Sequence, residues 1–269
     1  MIRRLRRGLA IGVVVTTTAL AGCGDDSGGG GGDESAGPSA GEAEWSYSGK
    51  TGPKFWDDLD PAFRECGEGR RQSPINLADP VEGGIGEFEP DYRTAPGTEE
   101  NNGHAIEVAL RNSGEIIDKG TPFALEQFHF HVPSEHAVDG ERSPAEMHLV
   151  HANEDEELAV VGVRLEVGEE NEVLAQALED VPDDPGDEQE LEGEIDPTDL
   201  LPDDGSGDVF RYDGSLTTPP CSEGVLWTVY EEPIKISQEQ LDELASAFND
   251  DARPLQPLNG RELIEGRAG

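Results

Sequence analysis

The sequence predicts a mainly β (α+β) domain with small peripheral helices, and three observations carry the prediction. The first is a strictly alternating run, Gln127-Phe128-His129-Phe130-His131, followed further on by Glu146-Met147-His148-Leu149-Val150-His151. Alternate side chains of a strand share a face, so Gln127, His129 and His131 point one way and both phenylalanines the other. The second is a set of short apolar, β-branched runs at 105–110, 158–167 and 225–230, each bounded by glycine-rich or polar breaks. The third is that helical spacing is confined to two short segments, 171–180 and 237–248. There is no internal repeat.

From the N-terminus, residues 1–22 place Arg3, Arg4, Arg6 and Arg7 before a short apolar stretch from Leu9 to Leu20. That is the pattern of an export signal, too short for a comfortable membrane span. It closes on Leu20-Ala21-Gly22-Cys23, which resembles the bacterial lipoprotein box. The resemblance implies cleavage before Cys23 and its lipidation; the alternative is a plain secretory signal with an incidental cysteine. Residues 23–44 then read as a lipidated cysteine and a flexible glycine, serine and acid tether, with nothing to bury. The domain is expected over 45–269, exported and anchored to the membrane outside the cytoplasm. With Cys23 lipidated, Cys66 and Cys221 remain in an oxidising compartment. A single disulfide is their most economical fate, and two unpaired thiols are the alternative.

The formal net charge is -40, with 59 acidic against 19 basic residues. Phosphates would repel such a chain, which excludes nucleic acid as a partner. An electrostatic grip on anionic lipid is excluded too, leaving the lipid on Cys23 as the only membrane contact. The acidity reads as a heavily solvated surface, tolerable where salt screens the repulsion, and it points to a salt-rich habitat. Oligomeric state is not legible.

Within the domain, most of 70–235 reads as short strands and turns. Asp139-Gly140 is a turn signal between the two histidine runs, which puts them close together in one sheet. The 171–180 helix carries Val173, Leu174, Ala177 and Leu178 at helical spacing. The segment 179–208 holds 14 acids and no base and reads as an exposed loop excursion. It lacks the ordered ligand ladder of a calcium loop. The last helix opens with Ser237 and Gln240 in capping-box spacing and puts Leu241, Leu244 and Phe248 on one face.

Five of the six histidines fall in 127–151. His129 and His131 from one strand and His148 from its neighbour can converge on one metal ion. Three neutral imidazoles with an open fourth position make a catalytic zinc arrangement.

At this point the chain resembles an α-class carbonic anhydrase of bacterial type. The resemblance rests on Trp45-Ser46-Tyr47, Arg71 to Asn76, Asn102-Gly103-His104-Ala105, the 127–151 stretch, Leu158 to Gly162, Tyr212 to Cys221, Trp227, and Arg253 to Arg261. It implies a single domain around a large twisted, mostly antiparallel central sheet. It implies one zinc ion per chain on His129, His131 and His148, with Gln127 and Glu146 accepting from ligand rings. His131's partner in the family is a backbone carbonyl just before Arg253, where this chain has Asp251 in place of the usual Asn. Thr217 is expected to orient a zinc-bound hydroxide, with Glu135 fixing Thr217 as the acceptor. His104 matches the family's proton shuttle, and Tyr47 and Asn102 its solvent network. Val150, Val160, Leu216, Thr218 and Trp227 would form the substrate pocket, although the valines and the tryptophan could equally be ordinary core. Cys66 and Cys221 fall where exported members carry a disulfide, and His136 and His151 read as structural. The implied activity is reversible hydration of carbon dioxide to bicarbonate and a proton. The alternatives are a non-catalytic surface binding module or a zinc-binding lipoprotein.

Overall fold

In the computed structural model a 13-stranded mixed sheet forms the body of the protein, and the predicted alternation decides what each of its faces carries. The structure describes residues 43–178, 181–182 and 184–268. The expected export signal, the lipidation of Cys23 and the tether to residue 42 lie outside the described residues. The described residues belong to one compact unit, Pro38–Gly269. No helix among them is long and apolar enough to cross a membrane.

The two histidine runs form the strands Thr121–His131 and Ala145–Ala152, which pair antiparallel with His148 opposite His129 and Glu146 opposite His131. Leu158–Val167 pairs antiparallel on the far side, with Gly162 opposite His148 and Val160 opposite Val150. Glu223–Tyr230 then lies parallel to Leu158–Val167 and sets Trp227 opposite Val160. Gly207–Ser215 follows antiparallel, with Tyr212 opposite Trp227. On the other flank Ile106–Leu110 pairs antiparallel with the first histidine strand, with Glu107 opposite His129. The sheet is mostly antiparallel, as expected, and Glu223–Tyr230, Ile234–Ile236 and Val81–Glu82 are its parallel additions.

One face buries Phe128, Phe130, Met147, Leu149, Val161 and Val163 in the main core. Each is 0–4% exposed, so this face is committed to packing. The other carries His129, His131 and His148 and a second apolar cluster around Val160, Tyr212, Val225 and Trp227. Asp139 and Gly140 adopt the left-handed conformation, with φ of 48° and 88°, and close the turn between Ala137–Val138 and Glu141–Arg142. Asn171 caps the helix Glu172–Ala177 by accepting from the backbone N–H groups of Val173 and Leu174. Ser237 and Gln240 form a reciprocal capping box on Gln238–Ala247, which buries Leu244 and Gln240 against the body.

Two features differ from expectation. The acidic segment is not wholly loop: Glu188–Ile195 pairs antiparallel with Ala95–Asn101 and forms an edge of the sheet. Its glutamates face solvent, and an acidic edge resists pairing with another chain. Near the N-terminus, short helical turns including Trp56–Leu59 and Glu65–Glu68 wrap Trp56, Phe63 and the Cys66–Cys221 disulfide into a third small core. Turns this short carry no readable period.

Candidate active site

The residues at the site are aligned in rows across the sheet. One row runs Glu107, His129, His148, Gly162 on successive strands; the next runs Gln127, Val150, Val160, Trp227, Tyr212. Residues directly opposite one another on paired strands share a face, and Glu107, His129 and His148 of the first row with Gln127, Val150, Val160 and Trp227 of the second line one cavity of about 190 Å³. Gly162 is needed here. A Cβ at that position would come within 3.0 Å of Glu146 Oε1.

Three imidazoles meet at the cavity base, with one ring nitrogen from each lying within 4.8 Å of the others. Each ring is oriented by an acceptor at its other nitrogen. His129 Nδ1 lies 2.9 Å from Gln127 Oε1, His131 Nδ1 lies 3.1 Å from the Asp251 carbonyl oxygen, and His148 Nε2 lies 3.1 Å from Glu146 Oε1. That leaves Nε2 of His129, Nε2 of His131 and Nδ1 of His148 for a common ligand. The His131 Nε2 atom is buried with no hydrogen-bond partner, a cost that a metal ion on that nitrogen would remove. Neutral nitrogen donors of this kind suit zinc, so the residues present fit the ion. Asp251 supplies His131's acceptor from its backbone, and its carboxylate Oδ2 lies 3.7 Å from the same ring nitrogen.

Charge supports the same reading. Burial presses His129 far below the ordinary histidine range and lowers His148 as well, which favours the neutral, metal-binding form. Burial also acts to lower His131, but the carboxylates of Glu135 and Asp251 outweigh it and raise the ring. Glu146 is held well below the usual carboxylate range. Burial would raise it, but His136 and His148 prevail. His136 fixes this carboxylate through its backbone N–H at 2.8 Å and Nδ1 at 2.7 Å, and its Nε2 lies 2.6 Å from the Tyr212 hydroxyl.

The cavity wall divides by polarity. Val150, Val160, Leu216 and Trp227 make an apolar side; Tyr47, Asn102, His104, Glu107 and Gln127 make a polar one, with Thr217 and Thr218 also lining it. His104 stacks on Trp45, ring centroids 3.7 Å apart. Burial pushes its pKa below the ordinary value. Asn102 Oδ1 accepts from the backbone N–H groups of His104 and Ala105, which fixes that loop. The Tyr47 hydroxyl is buried without a partner.

A chain-matching model of eukaryotic-type carbonic anhydrase covers residues 51–266. The chain belongs to the α-class carbonic anhydrase family. It is an enzyme of that family by its similarity to bacterial members over most of its length. It is 41% identical to a carbonic anhydrase of Klebsiella pneumoniae over 226 residues, 83% of this chain and 91% of that protein. The α-carbonic anhydrase of Thermovibrio ammonificans, solved with the inhibitor sulfanilamide, superposes with a TM-score of 0.80 at 42% identity, over 83% of this chain and all of that one. The chain is also 36% identical to dioscorin dioA3 of Dioscorea japonica, over 83% of its length and 86% of that protein.

Of the residues singled out in the sequence, the structure brings His129, His131, His148, Gln127 and Glu146 together at the base, and places around the wall the residues expected to form the pocket and the shuttle. It does not join Glu135 to Thr217. Glu135 Oε1 accepts from the Arg253 backbone N–H at 2.8 Å, while Oε2 is buried without a partner, 3.7 Å from His131 Nε2. Its carboxylate is held instead by the Arg253 backbone through Oε1. Cys66 and Cys221 are bonded, and the Cys221 carbonyl accepts from Gln72 Nε2 at 3.0 Å beside the Thr217 loop. His151 lies on the opposite face, with Nε2 2.7 Å from the Tyr92 hydroxyl. Sequence reasoning missed Glu107 and the stacking role of Trp45. Glu107 could have been found only by knowing which strand pairs with His129.

Proposed function

We propose that this protein binds one zinc ion through His129, His131 and His148 and hydrates carbon dioxide reversibly to bicarbonate and a proton. The observation that carries the reading is the convergence of three buried ring nitrogens, each with its opposite nitrogen already committed to an acceptor. Zinc held there supplies hydroxide near neutral pH by lowering the pKa of water to about 7, a magnitude for which carbonic anhydrase is itself the reference example.

The chain's own residues do the rest. The apolar wall of Val150, Val160, Leu216 and Trp227 receives an uncharged, linear molecule without competing hydrogen bonds, with Thr218 beside it. The Thr217 hydroxyl accepts one hydrogen bond and so aims the attacking lone pair at carbon. Glu135 Oε2, buried and without a hydrogen-bond partner, is the acceptor for the Thr217 O–H. His104 carries the released proton to buffer, since imidazole both takes and gives a proton near neutral pH. Tyr47 and Asn102 hold the waters that lead to it. A binding module or a zinc store would need neither this wall nor a histidine at the rim.

The domain is proposed to act outside the cytoplasm on a tether from lipidated Cys23. Metabolic labelling with a fatty acid should mark the wild type and not Cys23→Ala. For the activity itself, purified protein should hold one equivalent of zinc and hydrate carbon dioxide in stopped-flow assays, losing both with a chelator. One equivalent of zinc with no hydration overturns the reading.

A further inference from the structure

Glu107 lies opposite His129 on the neighbouring strand and lines the cavity. Its Oε2 accepts from Gln127 Nε2 at 3.2 Å, and the Asn102 side chain, which lines the same cavity wall, favours its charged form. Both neighbours are amides with a second duty. Gln127 turns its oxygen to His129 Nδ1, and Asn102 turns its oxygen to the backbone N–H groups of His104 and Ala105.

An amide can flip, exchanging a donor for an acceptor in nearly the same space. A flipped Gln127 would point N–H at the N–H of His129 and leave the ring unanchored. An ionised carboxylate only accepts, so it tolerates the amide NH₂ and repels the amide oxygen. The same logic holds Asn102. Burial and the nearby Glu100 raise the Glu107 pKa, so the carboxylate is kept in the cavity wall at a cost that a free surface acid would not meet.

We infer that Glu107 is a positioning residue which, as an acceptor-only group, fixes the orientation of two amides at once, Gln127 behind the ligand His129 and Asn102 beneath the loop of His104. The inference rests on the proposed metal site. It ties the metal side of the cavity to the proton-exit side through one side chain, so a single substitution disturbs both.

The test uses the zinc-loaded full chain with Glu107→Gln and Glu107→Ala, each alone and combined with Gln127→Ala, and follows zinc release into a chelator. Outer partners of metal ligands change affinity by roughly 10- to 100-fold when lost. One step further out, Glu107→Gln should speed zinc release about three- to tenfold, because glutamine keeps the size but permits the flip, and Glu107→Ala should do at least as much. In the Gln127→Ala background Glu107→Gln should add under about twofold, since the amide it orients is gone. Turnover in weak buffer should fall in both single variants and recover in concentrated imidazole buffer. A merely structural role would move neither the coupling nor the buffer dependence. Should Glu107→Ala fail to fold, the near-isosteric Glu107→Gln decides alone. Release unchanged within twofold in Glu107→Gln, or an undiminished effect in the Gln127→Ala background, overturns the inference while leaving the metal site standing. A wild type that holds no zinc overturns both.

Discussion

Single side chains at this site have separable duties, so their loss should have separable readouts. His131→Ala removes a ring nitrogen with no other partner, and zinc content should fall below about a tenth of an equivalent by elemental analysis. His104→Ala touches no ligand; it should hold its zinc and lose about tenfold or more in turnover, recovering with added imidazole. Full turnover in weak buffer would show that another group carries the proton. His151 gives a pH prediction on stability. Burial lowers it to about 4, against an ordinary 6.5, so the fold prefers the neutral ring. Its contribution is complete above pH 6.5 and is lost as pH falls from there toward 4, up to about 3 kcal/mol. His151→Gln should flatten that part of a melting-temperature profile; an unchanged slope between pH 6.5 and 4 would count against it.

At the scale of elements, the site depends on close approach between strands and on one covalent brace. Gly162 opposes His148 on the neighbouring strand and leaves the room that Glu146 occupies. Gly162→Ala should displace that carboxylate by a few tenths of an ångström and destabilise the protein by about 1–3 kcal/mol, read by urea unfolding. The Cys66–Cys221 bond joins the N-terminal turns to the loop after Thr217 across 155 residues. Closing so long a loop is worth about 5 kcal/mol in the chain-entropy model. Cys66→Ser with Cys221→Ser should lower the unfolding midpoint accordingly and also reduce turnover, because the Thr217 loop loses its brace. A double variant with wild-type turnover would show that Gln72 and the surrounding small core hold the loop unaided.

For the whole molecule, charge is the dominant fact. The formal net charge is -40, with 59 acids against 19 bases, so the acids outnumber their possible partners about threefold, even with exposed pairs such as Arg64–Glu68, Arg111–Glu190 and Lys235–Glu166. Repulsion on this scale weakens as the Debye length shortens from about 10 Å at 0.1 M to about 3 Å at 1 M salt. The melting temperature should therefore rise with sodium chloride over that range, and a fall would mean that attractive pairs outweigh the repulsion. The site itself, whose ring nitrogens lie at the base of the cavity, should keep the proposed zinc across the titration.

Period-two alternation was enough, in the sequence alone, to separate His129 and His131 from Phe128 and Phe130. Asp139-Gly140 and Ser237 with Gln240 marked their turn and cap because local backbone geometry demands those residues. The sequence also carried the motifs that resemble the family, and with them the proposed ligand set and shuttle. Register was beyond it. Which residue of one strand faces which residue of the next depends on packing between segments far apart in the chain, and no local pattern encodes it. Only the folded sheet set Gly162 opposite His148, showed the acidic Glu188–Ile195 segment to be an edge strand, and placed Glu107 where it meets both Gln127 and Asn102.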